Sequence, residues 1–143
     1  MMSHFHDGDF IATKSKSKIP LALTLLPAGE PSEMFDDYEL LDLNDLITGG
    51  REGYIAYRVT GDSMLENIKP GYIVFVDPYC EPKHGDIIVS RINGKNCVKI
   101  FEKNTKGLYL VPANKIYKPV RVTKSDDFQI LGVVKGHLAV YGR

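Results

Sequence analysis

Three things are scarce in this chain. Cysteine occurs only at Cys80 and Cys97, too few for a disulfide framework and without the paired spacing of a zinc site. Reduced thiols in a cytoplasmic protein are the simpler reading, and neither a metal nor a cofactor is expected. Net charge is missing, because 18 Lys and Arg balance 18 Asp and Glu. No overall positive field exists to hold a polyanion such as DNA non-specifically. Long apolar runs are lacking, since nothing approaches the ~20 consecutive apolar residues of a membrane span. What remains is 143 residues, 43% hydrophobic and 25% charged, a composition suited to one globular domain with its own core. A large multidomain enzyme does not fit this length.

Lys14, Lys16 and Lys18 precede an apolar stretch, Ile19 to Leu26, with small residues at Ala28-Gly29. The pattern imitates a secretory signal. However, the stretch is interrupted by Pro20 and Thr24, and it follows Asp7 and Asp9 rather than a basic start. Secretion is therefore not expected. Met1 to Lys18 has almost no apolar periodicity, so burial there cannot offset the entropy of ordering the backbone. Residues 1–28 are read as a mobile arm and 29–49 as a connecting segment. In that segment Asp42-Leu43-Asn44-Asp45-Leu46-Ile47 offers caps and a short helix, which Gly49-Gly50 would end.

Residues 50–143 are punctuated like an all-β domain, with short β-branched and aromatic runs between turn signals. The runs are Tyr54 to Thr60, Tyr72 to Asp77, Ile87 to Ile92, Cys97 to Lys103, Leu108 to Val111, Pro119 to Thr123, Phe128 to Val134 and Leu138 to Tyr141. Pro70-Gly71 is a type II turn pair, and Asn93-Gly94 is the strongest two-residue hairpin signal. The fold class is mostly β, closing into a compact barrel-like domain. Aromatic pairs such as Tyr54 with Tyr57 read as core packing rather than base-stacking platforms.

The informative tetrad is Gly61-Asp62-Ser63-Met64, at the end of the first run. Glycine allows a sharp turn that can expose a serine hydroxyl while aiming main-chain N–H groups at one point. An ordinary turn uses the same residues, and Leu65 stands where a Gly-x-Ser-x-Gly elbow needs its second glycine. A serine nucleophile needs a base. Among the histidines, His4, His6, His84 and His137, none is placed by pattern, although His84 with Asp86 stays open. Lys99 lies between Val98 and Ile100 inside an apolar run, where a lysine is costly unless neutral or paired. A neutral amine can take a serine proton. An edge-strand lysine facing water is the other reading.

These residues, taken together, resemble the LexA/UmuD family of self-cleaving Ser-Lys peptidases, which is similar in fold to bacterial signal peptidases. The matching stretches are Val59-Thr60-Gly61-Asp62-Ser63-Met64, Gly71 to Asp77, His84-Gly85-Asp86-Ile87-Ile88, Val98-Lys99, Val111-Pro112-Ala113-Asn114 and Gly132-Val133-Val134. The resemblance implies Ser63 as nucleophile, Lys99 as general base, the backbone N–H groups of Ser63 and Met64 as oxyanion donors, and a cleavage site between Ala28 and Gly29. UmuD has Cys before the scissile bond and LexA has Ala, as here.

Within that family the N-terminal region separates the roles. Fewer than thirty residues precede Gly29 and they lack helical periodicity, so a helix-turn-helix and sequence-specific DNA binding are not expected. The arrangement resembles UmuD. This implies a cytoplasmic SOS-response factor that dimerises, cuts itself when stimulated by the RecA nucleoprotein filament, pairs also with its cleaved form, and then serves a Y-family translesion polymerase. The alternatives are a headless LexA-like regulator, a non-cleaving binding module of the same fold, and a free-standing signal peptidase, which would call for a membrane anchor.

Overall fold

Asn93 and Gly94 adopt left-handed φ values of 52° and 80°, as a two-residue type I′ turn demands. They join strand β5 (Ile87–Ile92) to β6 (Lys95–Asn104) in the computed structural model, which describes residues 18–22, 26, 28–31 and 37–142. Around this hairpin are β3 (Ile55–Arg58), β4 (Ile73–Asp77), β7 (Gly107–Val111), β8 (Val120–Val122) and β9 (Phe128–Leu138). They form one antiparallel sheet in the order β3-β4-β9-β5-β6-β7-β8. The sheet curls into a half-barrel, as the mostly β expectation required.

Phe128 to Val134 and Leu138 to Tyr141, expected as two strands, are instead one strand, β9, which stops at Leu138. The polar Lys135-Gly136-His137 stretch reads as a break. It remains paired because Gly136 lies opposite Phe75 and His137 opposite Val74. A register shift between Phe75 and Val76 absorbs the irregularity, as a bulge does. The first half of β9 pairs with β5 and the second with β4, so this strand ties the two hairpins together. At Gly132 a Cβ would lie 2.5 Å from Val76 Cγ1 and 2.6 Å from the Asp77 carbonyl oxygen. Only glycine permits that approach.

Alternation along the strands places apolar side chains on both faces. Met64, Ile68, Val74, Val76 and Val89 pack in one buried cluster with Val59. Ile88, Phe101, Leu110 and Val133 form the other. Asp77 is buried too, its carboxylate 3.6 Å from Arg51 and accepting the Tyr79 N–H at 2.9 Å.

A second unit ends at Leu46. In it β1 (Ile19–Ala22) and β2 (Tyr38–Leu41) form an antiparallel pair, not anticipated because Pro20 suppresses a strand reading. Proline is tolerated where its strand has a free edge, and this sheet has only two strands. The short helix α1 (Leu43–Thr48) follows, close to the expected position. Asp42 caps it by accepting the Asn44 N–H at 2.9 Å, and Gly49 and Gly50 leave it at φ 64° and 81°. Of the expected arm, residues 1–17, 23–25 and 27 lie outside the described residues. None of the described helices is long and apolar enough to cross a membrane.

Candidate active site

Gly61 follows β3 by three residues, and its φ of 77° turns the chain out of the strand. The loop then coils tightly: Leu65 N–H donates to the Asp62 carbonyl at 3.1 Å, and Ile68 N–H to the Met64 carbonyl at 2.7 Å. The Met64 and Ile68 side chains, each 1% exposed, anchor the loop in the core. Ser63 is half-buried between these anchored residues and the exposed Gly61.

Lys99 comes from the middle of β6, opposite the fully buried Ile88 on β5. Ordinary strand pairing therefore fixes its backbone, and the side chain is half-buried. Its Nζ lies 2.8 Å from Ser63 Oγ, hydrogen-bonded across 36 residues of sequence. A charged amine donates in such a contact; a neutral one offers its lone pair to the serine proton. The N–H groups of Ser63 and Met64 donate no hydrogen bond among the described residues.

The loop between β7 and β8 closes over this turn. Asn114 N–H donates to the Ser63 carbonyl at 2.9 Å, and Asn114 Nδ2 donates to the Asp62 carbonyl at 3.0 Å. The Tyr117 hydroxyl donates to the Asp62 carboxylate. That hydrogen bond, reinforced by the carboxylate charge, holds the phenol above its ordinary value of 10.0. Two recesses are lined by sequence neighbours of these residues. One, of about 120 Å³, lies between the end of β3 and β6, with Tyr57, Thr60, Asn96 and Val98 in its wall. The other, of about 490 Å³, lies between Leu65-Glu66 and residues 113–116.

The alternative base is engaged elsewhere. His84 Nδ1 accepts the Lys103 N–H at 3.2 Å, and Asp86 accepts the Lys83 N–H at 2.8 Å. His137 stacks on Tyr72 with ring centroids 5.2 Å apart. His4 and His6 lie outside the described residues. Cys80 and Cys97 are free thiols, and no group of side chains among the described residues is arranged to hold a metal. Ala28 and Gly29 are exposed in a bend. In the sequence Asn114 stands only as part of the Val111-Pro112-Ala113-Asn114 motif, and nothing local marks Tyr117. The Pro112-Ala113-Asn114 turn chemistry marks a loop but not what it binds.

Residues 20–135 match the family described as Peptidase S24-like. Relatives include the LexA repressor of Syntrophotalea carbinolica, 32% identical over 91% of this chain and 64% of its own length. The LexA repressor of Desulfatibacillum aliphaticivorans is 34% identical over 83% of this chain and 60% of its own length. That of Caldicellulosiruptor saccharolyticus is 34% identical over 91% and 63%. The chain thus spans somewhat less than two thirds of each of these repressors. With a match that takes in the Ser63 loop, Lys99 and the Asn114 loop together, the chain belongs to the Peptidase S24-like family, alongside LexA.

Proposed function

We propose that the protein is a serine peptidase that cuts its own chain between Ala28 and Gly29. The observation that carries this reading is the 2.8 Å contact between Ser63 Oγ and Lys99 Nζ. Neutral Lys99 takes the serine proton as Oγ bonds to the Ala28 carbonyl carbon, and the N–H groups of Ser63 and Met64 hold the developing oxyanion. As the tetrahedral intermediate collapses, the C–N bond breaks and the Lys99 ammonium gives its proton to the Gly29 nitrogen. Water, deprotonated by Lys99, then releases Ala28 from Ser63. The small side chain of Ala28 lets the scissile carbonyl approach Ser63 closely, and Gly29 adds no bulk on the leaving side.

The finer reading is UmuD-like. The RecA filament on single-stranded DNA stimulates the cut, the protein works as a homodimer or paired with its cleaved form, and the product of 115 residues (143 minus 28) serves a Y-family translesion polymerase. A second reading is a LexA-like regulator, favoured by relatives that carry the LexA repressor name. Purified protein is incubated with RecA, single-stranded DNA and ATP, and its intact mass is measured. The 115-residue product from wild type, with Ser63→Ala left full length, supports self-cleavage; an unshortened wild type refutes it. Binding of the product to a polymerase subunit favours the UmuD-like role, and capture of full-length LexA favours the regulator.

A further inference from the structure

Ser63 sits on a loop with two unfavourable backbone positions. Gly61 tolerates its φ of 77°, but Glu66, with a side chain, is held at φ 82°. L-residues avoid that region, and such geometry persists only where the surroundings enforce it. Below the loop, Met64 and Ile68 anchor it in the core. Above it, the loop is held by polar contacts from residues 114 and 117, more than 50 positions away in sequence.

We propose that Asn114 is the positioning residue of the nucleophile, its side-chain amide fixing the Asp62-Ser63 peptide so that Oγ meets Lys99, with the Tyr117–Asp62 hydrogen bond as a second tie. This rests on the peptidase reading above. Asn114 acts through three separate groups. Its N–H holds the Ser63 carbonyl. Its Nδ2 holds the Asp62 carbonyl. Its Oδ1 accepts the Ile116 N–H at 3.3 Å, closing an Asx-type turn within its own loop. Only the first two reach the nucleophile. The third shapes the loop that carries them, and Tyr117 N–H, donating to the Asn114 carbonyl at 3.1 Å, completes that shape. With both carbonyls held, the peptide unit carrying the Ser63 N–H cannot rotate, so hydroxyl and oxyanion donors stay aimed together. Displacement of a reacting group by ~1 Å can lower a rate by ~100-fold.

The chemistry of the amide separates positioning from loop-building. Asn114→Asp keeps the Oδ1 acceptor and the backbone N–H, so the Asx turn survives, but it cannot donate to the Asp62 carbonyl and repels it. Self-cleavage of the full chain is followed by intact mass against pH for wild type, Asn114→Ala, Asn114→Asp and Tyr117→Phe, alongside thermal unfolding. The expected result is a rate at least about tenfold lower for both Asn114 variants at every pH. The slope against pH is unchanged because Lys99 is intact, and Asn114→Asp remains folded at the assay temperature, with a melting temperature lowered by the lost contact to Asp62. Tyr117→Phe is slowed less. Asn114→Asp cleaving at the wild-type rate overturns the proposal and leaves the peptidase reading standing. A wild type that does not cleave overturns both. If Asn114→Ala fails to fold, Asn114→Asp decides alone, and a wild-type rate in it overturns the proposal.

Discussion

Met64 is both a core residue and, in the proposed mechanism, an oxyanion donor, which makes Met64→Ala an informative perturbation. Its side chain is 1% exposed and packs with Ile68, Val74 and Val76, while its own N–H is a proposed oxyanion donor. Truncation removes Cγ, Sδ and Cε from a site closed off from solvent. Lost transfer energy plus the cavity amounts to about 2–5 kcal/mol, a melting temperature lower by roughly 10 °C for a chain of this size. Domains are commonly stable by about 5–15 kcal/mol, so most molecules remain folded at low temperature. Val133→Ala is the matched control. It is 2% exposed, lies in the other cluster, and loses about 2 kcal/mol without touching the Ser63 loop. Unfolding followed by circular dichroism gives the stabilities, and intact mass at low temperature gives the cleavage rates. Met64→Ala is expected to lose activity well beyond its unfolded fraction, by ~10-fold or more as the loop shifts, whereas Val133→Ala cleaves close to the wild-type rate. Equal rates for the two variants, or an unchanged melting temperature for Met64→Ala, would show that Met64 does not hold the Ser63 loop in place.

Other consequences are simpler to check. Gly132→Ala forces a Cβ against the Asp77 backbone, and overpacking of this kind costs about 1–3 kcal/mol; Gly136→Ala, on the same strand with open space around it, leaves urea unfolding unchanged or slightly improved. The Asp126 carboxyl is held below its ordinary 3.8 by the Asn93 side-chain amide and then by the Thr123 N–H. A depressed carboxyl binds fewer protons folded than unfolded, so its contribution is present above the unfolded value and lost as pH falls through the folded one. Asp126→Asn should therefore flatten the loss of stability on acidification below about pH 4, as read from melting temperature against pH.

How much of this is visible in a linear sequence depends on the range of the interaction. Turn chemistry is local, so Asn93-Gly94 and Pro70-Gly71 located their turns; both sites show the left-handed glycine expected, with Gly71 at φ 92°. The continuity of β9 was not visible, because whether Lys135-Gly136-His137 breaks a strand is decided by the partner β4 and its bulge. Pairing of β1 with β2 was hidden by Pro20 and by the separation of the two strands. Ser63 and Lys99 were nameable because the surrounding motifs resemble a known family. Composition alone leaves each with an ordinary alternative. The ties from Asn114 and Tyr117 to Asp62 span 52 and 55 residues, and no local propensity encodes contacts of that length.

In the proposed mechanism Lys99 is the base for Ser63, and the pH dependence of self-cleavage reads out that role. Purified wild type and Lys99→Ala are held in buffers from neutral to strongly alkaline pH, and the rate of appearance of the chain beginning at Gly29 is measured by mass. A base that must be neutral to act gives a rate that climbs with pH. Wild type is expected to show that climb, and Lys99→Ala to give no product at any pH. A wild-type rate that is flat across the range, or a Lys99→Ala chain that still cuts after Ala28, contradicts it.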